Sequence, residues 1–319
     1  MKIVLMESDS LGRDVSLSPF YQLGEVTAYG TSDEFENPIR IKDADIIVLN
    51  KIPVNEALIG DAKNLKLICL TATGTNNIDF VYTNKRGIPV ANVSGYSTES
   101  VVQHTFAMLF YLYEHLPYYD NYVKSGAYSE SKTFSFFGRQ FNELSGKTWG
   151  IIGLGNIGRR VADIASFFGC NVIYYSTSGR NNSEKYARKE LDELLKSSDI
   201  VSIHCPLNAK TQNLISVREL ELMKSNAIIL NLGRGKIIDE KALFDALTKN
   251  QIMAAGLDVI SEEPILPDNP LMQIKDSNKL LITPHIGWGT IEARQRCVEE
   301  VCKNIQAFYA GEKRNIVIS

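Results

Sequence analysis

Short apolar runs alternate with segments of helical period along nearly the whole chain. Residues 3–6, 26–29, 46–49, 67–70 and 88–91 read as strands, rich in β-branched and other apolar residues. A second series follows Thr148, at 149–152, 171–175, 200–204, 227–230, 254–257 and 280–283. Between the two series, in the stretch 98–124, Val101, Val102, Thr105, Met108, Leu109 and Leu112 keep helical spacing. Thr98-Glu99-Ser100 supplies its start signal, and Pro117 is expected to kink it. Further helices are expected at 157–168, 240–249 and 290–310. Strands alternating with helices are the pattern of an α/β protein with parallel sheets. After Ser125-Gly126 the chain turns irregular and aromatic, with Tyr128, Phe134, Phe136, Phe137 and Phe141. Such a stretch is either core filler or an arm that contacts another subunit.

Length and composition narrow the picture. A chain of 319 residues is too long for one ordinary core, so two domains are expected. Apolar content of 44% and charged content of 22% suit a well-packed globular protein. A formal charge of −3 lacks the basic excess that nucleic acid or an anionic membrane would call for. No apolar run approaches the roughly 20 residues that span a bilayer, and the run that opens the chain is too short for a signal peptide, so a cytoplasmic protein is expected. The five cysteines form no C-x-x-C pair and most sit in apolar runs, as reduced core thiols do; no metal site is expected.

One turn carries chemistry. The strand candidate at 149–152 runs into Gly153-Leu154-Gly155-Asn156-Ile157-Gly158, and a helix candidate follows. In this G-x-G-x-x-G, Gly153 permits the tight turn, Gly155 lets the backbone approach a pyrophosphate, and Gly158 lets helix and strand pack closely. Free N–H groups of the helix start, at Asn156 and Ile157, would face the anion. The motif alone is weak, but the strand, the helix and the next strand stand in place around it. The six strands of the second series then read as a dinucleotide-binding sheet. One position departs from the pattern. The strand at 171–175 should end in Asp or Glu to bind a ribose hydroxyl, and it ends in Ser176-Thr177-Ser178-Gly179-Arg180. Ser176 can still bond a ribose hydroxyl, while Ser178 and Arg180 lie close enough in sequence to meet a 2′-phosphate.

Three more segments each put a polar group at the carboxyl end of a strand, where open α/β sheets bind ligands. They are Asn231-Leu232-Gly233-Arg234-Gly235, then Gly256-Leu257-Asp258-Val259-Ile260-Ser261-Glu262-Glu263-Pro264, then Thr283-Pro284-His285-Ile286-Gly287-Trp288. Together an Arg, a carboxylate and a His suit a hydroxy acid. Arg clamps a carboxylate or carbonyl oxygen, His moves the hydroxyl proton near neutral pH, and the carboxylate orients the His.

With these motifs in this order, the sequence resembles the D-isomer-specific 2-hydroxyacid dehydrogenases over essentially its whole length. It looks most like the glycerate (hydroxypyruvate) dehydrogenase-like bacterial members. The resemblance implies that Arg234 binds substrate, Glu263 pairs with the catalytic His and His285 is the acid/base; Glu262 is a rival, but the family carboxylate directly precedes the Pro. It implies that Asp258 contacts the nicotinamide carboxamide, and that backbone N–H groups around Thr73 and Gly74 hold the substrate carboxylate. His204, Pro206 and Thr211 fall on a cofactor-contacting turn, and Leu232, Gly233 and Gly287 flank the same site. Lys51, at a strand end, is either a substrate contact or a solvated lysine. His104 and His115 read as packing or solvated positions of the long helix, and Asp79 as a helix cap.

The implied fold has two doubly wound parallel-sheet domains, with a Rossmann cofactor domain (98–287) inserted into a flavodoxin-like substrate domain (1–97 plus 288–319). Residues 95–97 and 286–289, where the chain passes between domains, are the hinge candidates across an interdomain cleft. NAD is the expected cofactor, with NADP tolerated because the discriminating carboxylate is missing. The implied partners are a small 2-keto or 2-hydroxy acid and a second copy in a homodimer. Two other readings stay open: a phosphite-type dehydrogenase, and an NAD(H)-sensing regulator on the same fold. Glu263 argues against the formate enzymes, which carry Gln there.

Overall fold

In the first sheet, strand β1 (Lys2–Leu5) lies between β2 (Glu25–Ala28) and β3 (Ile46–Leu49), followed by β4 (Leu67–Leu70) and β5 (Val90–Ala91). All pairings are parallel. Alternate side chains of β1, β3 and β4 feed opposite faces. Ile3, Leu5, Ile46, Val48, Leu67 and Cys69 join one buried cluster, and Val4, Met6, Ile47, Leu49, Ile68 and Leu70 join the other. Burial on both sides is why these strands read as unbroken apolar runs. Four short helices, α1 (Ser18–Tyr21), α2 (Asn37–Arg40), α3 (Glu56–Ile59) and α4 (Phe80–Lys85), connect them. Asp79 caps α4, its carboxylate accepting from Tyr82 N–H at 3.0 Å.

The computed structural model describes residues 1–317, and the chain divides into two units: Met1–Ser97 with the segment from Trp288 onward, and Thr98–Gly287. The second unit holds α5 (Thr98–Tyr113), α6 (Leu116–Lys124), β6 (Thr148–Ile152), α7 (Asn156–Phe167), β7 (Asn171–Tyr175), β8 (Ala187–Arg188), α8 (Leu191–Ser197), β9 (Ile200–Ile203), α9 (Val217–Leu222), β10 (Ile228–Asn231), α10 (Glu240–Thr248), β11 (Ala254–Leu257) and β12 (Leu280–Ile282). Its sheet runs β12-β11-β10-β9-β6-β7-β8, all parallel. Helices α8, α9 and α10 cover one face through Leu194, Leu220 and Leu243, while α5 and α7 pack on each other, with α5 against β10 and β11. Gly256 makes that approach possible, since a Cβ there would meet Leu112 and Met108 of α5 at 3.3 Å. The last helix, α11 (Ile291–Tyr309), belongs to the first unit and packs on β4 through Cys297, Val301 and Ile305.

Two local expectations change. The long helix does not kink at Pro117. It ends at Tyr113, His115 takes a left-handed conformation (φ 52°), and Pro117 falls in the first turn of a new helix. Proline is at ease there because first-turn N–H groups have no intrahelical acceptor. The cofactor sheet has seven strands rather than six, because the two-residue β8 adds to its edge. The aromatic stretch has no large buried side chain. Phe134, Phe137 and Phe141 are 92%, 80% and 51% exposed, and Tyr122 stacks on Phe136 with ring centroids 3.8 Å apart. It is therefore not core filler within this chain.

Candidate active site

The chain steps from β6 to β7 on one side and returns to β9 on the other, so the strand order reverses at the β6/β9 boundary. Open α/β sheets bind dinucleotides in the crevice outside the strand ends at such a point. The loop after β6 carries the three glycines, and each has a different neighbourhood. Gly153 sits at φ 97°, and a Cβ on it would lie 2.7 Å from Cys205 N, so the two loops meet backbone to backbone. A Cβ on Gly158 would lie 2.1 Å from the Gly153 carbonyl oxygen, so the helix seats directly on the turn. A Cβ on Gly155 would meet nothing within 4 Å. The protein does not need a glycine there for its own packing, which leaves the space to a ligand. Asn156 and Ile157 open α7 with their N–H groups beside that space.

The second wall of the crevice is the turn after β9. Thr211 is buried and closes this turn, its hydroxyl donating to the Pro206 carbonyl (2.7 Å) and accepting from Asn208 N–H (2.8 Å). His204 reaches the surface in part, yet both its ring nitrogens are buried without a partner among the described residues. Burial holds its pKa down to about 3, so the ring is neutral at physiological pH. Ser176 is also buried at the end of β7, its hydroxyl without a partner among the described residues. Ser178 and Arg180 are exposed. Two arginines steady the turn between them, Arg188 donating to the Gly179 carbonyl (3.3 Å) and Arg159 to that of Asn182 (2.8 Å). Unfilled polar atoms and an open glycine together fit a dinucleotide.

Strands β10, β11 and β12 are neighbours, and their carboxyl ends carry Arg234, Asp258 and His285. Buried Asn231 shapes the first loop, accepting from Gly233 N–H (3.0 Å) and donating to the Arg234 carbonyl (3.0 Å). Glycine is required beside Arg234, since a Cβ on Gly235 would lie 1.8 Å from the Ile260 carbonyl carbon. Leu232 is buried and Arg234 half-buried, with one guanidinium nitrogen on the Gly233 carbonyl at 2.8 Å. His285 has a positive φ of 54°, uncommon for a residue with a side chain. Its N–H bonds the carbonyls of Asp258 and Thr283, both at 2.9 Å. Its Nδ1 lies 2.8 Å from Glu263 Oε2. Glu263 is thus the imidazole's carboxylate partner.

Asp258 is 4% exposed, and both its carboxylate oxygens hold the His285 loop. Its Oδ1 accepts from the Thr283 hydroxyl (2.6 Å) and Ile286 N–H (2.9 Å), and its Oδ2 from Gly287 N–H (2.8 Å). Burial would raise its pKa, but hydrogen bonds from His104, Thr283 and Gly287 outweigh that and hold it below the ordinary carboxylate value.

In the first unit, Thr73 and Gly74 lie on the loop after β4. The Thr73 hydroxyl donates to the Val93 carbonyl (2.7 Å), and Asn92 donates to the Thr73 carbonyl (2.7 Å). Among the described residues the N–H groups of Thr73 and Gly74 meet no acceptor. Lys51 lies on the loop after β3. Glu7 Oε2 gathers the N–H groups of Asn50, Lys51 and Ile52 at 2.8, 2.8 and 3.2 Å, so a single carboxylate sets that loop.

Residues 106–287 match the family model for the NAD binding domain of D-isomer specific 2-hydroxyacid dehydrogenases. The chain belongs to this family. A hydroxypyruvate reductase of Blautia hydrogenotrophica is 36% identical over 99% of both chains. A D-lactate dehydrogenase of Aquifex aeolicus, solved with NAD and lactic acid, superposes with a TM-score of 0.85 at 30% identity over 99% of both chains. An acyclic imino acid reductase (Bsp5), solved with NADPH and D-Arg, superposes with a TM-score of 0.87 at 29% identity over 100% of both.

This dehydrogenase is thus an NAD-binding oxidoreductase of 2-hydroxy acids. Sequence reasoning missed two of its residues. Glu7 gave no signal, because a carboxylate that gathers backbone N–H groups looks like any surface Glu. His104 reads as a packing position, yet its Nε2 lies 3.0 Å from the Thr283 hydroxyl and 3.4 Å from Asp258 Oδ1. Neighbouring Ser100, one helical turn away, donates to the Gly287 carbonyl at 2.6 Å. Among the described residues no helix is long and apolar enough to cross a membrane, and no group of three or more metal-binding side chains occurs.

Proposed function

We propose that this dehydrogenase reduces small 2-keto acids of the hydroxypyruvate or glyoxylate kind to D-2-hydroxy acids, and runs the reverse oxidation. The observation that carries the reading is the His285 Nδ1 to Glu263 Oε2 contact of 2.8 Å. It fixes Nδ1 as the protonated nitrogen facing a carboxylate and leaves Nε2 for the substrate. A bound reduced nicotinamide would supply the hydride for the keto carbon. His285 Nε2 gives its proton to the keto oxygen, and Glu263 stabilises the imidazolium before that transfer. Arg234 binds the substrate's carboxylate and keto oxygen through its fork of donors. The N–H groups of Thr73 and Gly74 hold the substrate carboxylate, with Lys51 assisting. Asp258 Oδ2 keeps acceptor capacity for a carboxamide N–H.

The cofactor residues are Gly153, Gly155, Asn156, Ile157 and Gly158 at the pyrophosphate, with His204, Pro206, Thr211, Leu232, Gly233 and Gly287 around the rest. Ser176 takes a ribose hydroxyl. Without a carboxylate at that position, and with Ser178 and Arg180 nearby, NADP(H) is accepted beside NAD(H). The exposed aromatics at 134–141 support a homodimer with an isologous interface. Five buried free thiols suit a reducing, cytoplasmic compartment.

The test is a panel of 2-keto acids followed by NADH absorbance, in wild-type protein and His285→Ala. Turnover of hydroxypyruvate or glyoxylate is expected, with kcat falling about 10²–10⁴-fold in the variant. Near-wild-type kcat in His285→Ala would remove the acid/base assignment. Tight NADH binding with no turnover of any acid would favour a sensor over an enzyme.

A further inference from the structure

We propose that His104 is a positioning residue, whose Nε2–H fixes the Thr283 hydroxyl as a donor to Asp258 and thereby sets the backbone that carries His285. Thr283 Oγ1 lies 2.6 Å from Asp258 Oδ1, and an ionised carboxylate only accepts, so the single hydroxyl proton goes there. The same oxygen must then accept at its 3.0 Å contact with His104 Nε2, which therefore bears a hydrogen. That hydrogen also faces Asp258 Oδ1 at 3.4 Å. Asp258 in turn holds Ile286 and Gly287 by their N–H groups, at 2.9 and 2.8 Å. Those two residues directly follow His285, whose positive φ persists only while its surroundings hold it.

Helix α5 makes the arrangement from one face. Ser100 and His104 are four residues apart, so both point at the same loop. Ser100 holds it by the Gly287 carbonyl, and His104 through the Thr283 and Asp258 pair. No room is spare, since a Cβ on Gly287 would lie 2.7 Å from Asp258 Oδ2 and 3.4 Å from His104 Cδ2. His104 is only partly buried and its contact to Thr283 spans 179 positions, so it is not placed there by neighbouring sequence. The inference rests on the proposed role of His285, but it can be read without turnover.

Four variants test it: His104→Leu, His104→Gln, Thr283→Val and the double variant His104→Leu with Thr283→Val. Kinetics with NADH and hydroxypyruvate are paired with hydrogen exchange, read by mass spectrometry, over residues 284–288. In His104→Leu kcat is expected to fall about tenfold, as for a lost hydrogen bond to a charged group, with KM changed less than about threefold. Gln keeps an amide donor and should recover most of kcat. Thr283→Val should resemble His104→Leu, and the double variant should be no worse than the poorer single, because both break one chain. Exchange over 284–288 should speed up in Leu and Val and stay slow in Gln. Equal loss in Leu and Gln, multiplicative loss in the double variant, or unchanged exchange in His104→Leu would each overturn the proposal. Should the wild type turn over no 2-keto acid, the functional reading fails and exchange still decides this one. Should His104→Leu not fold, Thr283→Val and His104→Gln carry the same comparison.

Discussion

Gly155 and Gly158 sit three residues apart in one motif, and the structure gives them opposite jobs. Alanine at 158 would put a Cβ 2.1 Å from the Gly153 carbonyl oxygen and 3.2 Å from its carbon. Ordinary non-bonded separations are about 3.5 Å or more. The obstacle is backbone, so α7 must lift from the turn after β6. Overpacking of this kind costs about 3 kcal/mol at the upper end of its usual range. For a unit of this size that is a fall in Tm of about 6–12 °C. Gly155→Ala differs. Its φ of −81° and ψ of −162° are extended backbone open to any residue, and its Cβ meets nothing within 4 Å. Losing a glycine from the unfolded chain stabilises by about 0.4–1 kcal/mol, so Tm should hold or rise slightly. What the methyl fills is the space assigned to the pyrophosphate, so the Kd for NADH should rise about tenfold or more, or about 1.4 kcal/mol. Thermal melts of the apo protein and NADH fluorescence titrations separate the two effects. Wild-type NADH affinity in Gly155→Ala would refute the assignment of that space, and a wild-type Tm in Gly158→Ala would refute the packing argument.

Glu263→Gln should lower kcat for keto-acid reduction by about 10–100-fold, since a charge-assisted hydrogen bond to the imidazolium is replaced by a neutral one; an unchanged kcat would separate Glu263 from proton transfer. Ser176→Asp should raise KM for NADPH by about tenfold or more while sparing NADH, and Arg180→Ala should hurt NADPH more than NADH; steady-state kinetics with both cofactors reads it, and a wild type already strict for NADH and unmoved by either change would place the choice elsewhere. Asp258 titrates below its ordinary value in the folded protein, so its contribution to stability is full above the unfolded pKa of about 3.9 and is lost as pH falls through the folded one. The Tm gap between wild type and Asp258→Asn should therefore narrow below about pH 4; a gap independent of pH would mean that the carboxylate charge is not what holds the loop. Sedimentation at micromolar concentration should show a dimer that Phe137→Glu weakens, and a monomeric wild type would end the case for the aromatic arm as an interface.

The central strands were legible in sequence because they are buried on both faces. Ile46 to Leu49 sends Ile46 and Val48 to one cluster and Ile47 and Leu49 to the other, so the run is apolar without a gap. The glycine loop was legible because two of its demands are local: the positive φ of 97° at Gly153 belongs to the turn, and a Cβ on Gly158 would strike the Gly153 carbonyl. Arg234, Asp258 and His285 were legible as strand-end residues, since parallel strands of one sheet bring their carboxyl ends to one edge. Pairwise contacts between distant segments were not. Nothing near His104 in sequence announces Thr283, 179 positions on, and nothing near Glu7 announces the N–H groups of residues 50–52. Periodicity could show that residues 291–309 form an amphipathic helix, but not that its apolar stripe covers β4 of the first sheet. Nor could it show that His115, by turning left-handed, would make Pro117 a helix start. Local pattern records which side of an element is apolar; only the folded chain selects which surface that side meets, because the partner is chosen by topology and shape rather than by neighbouring residues.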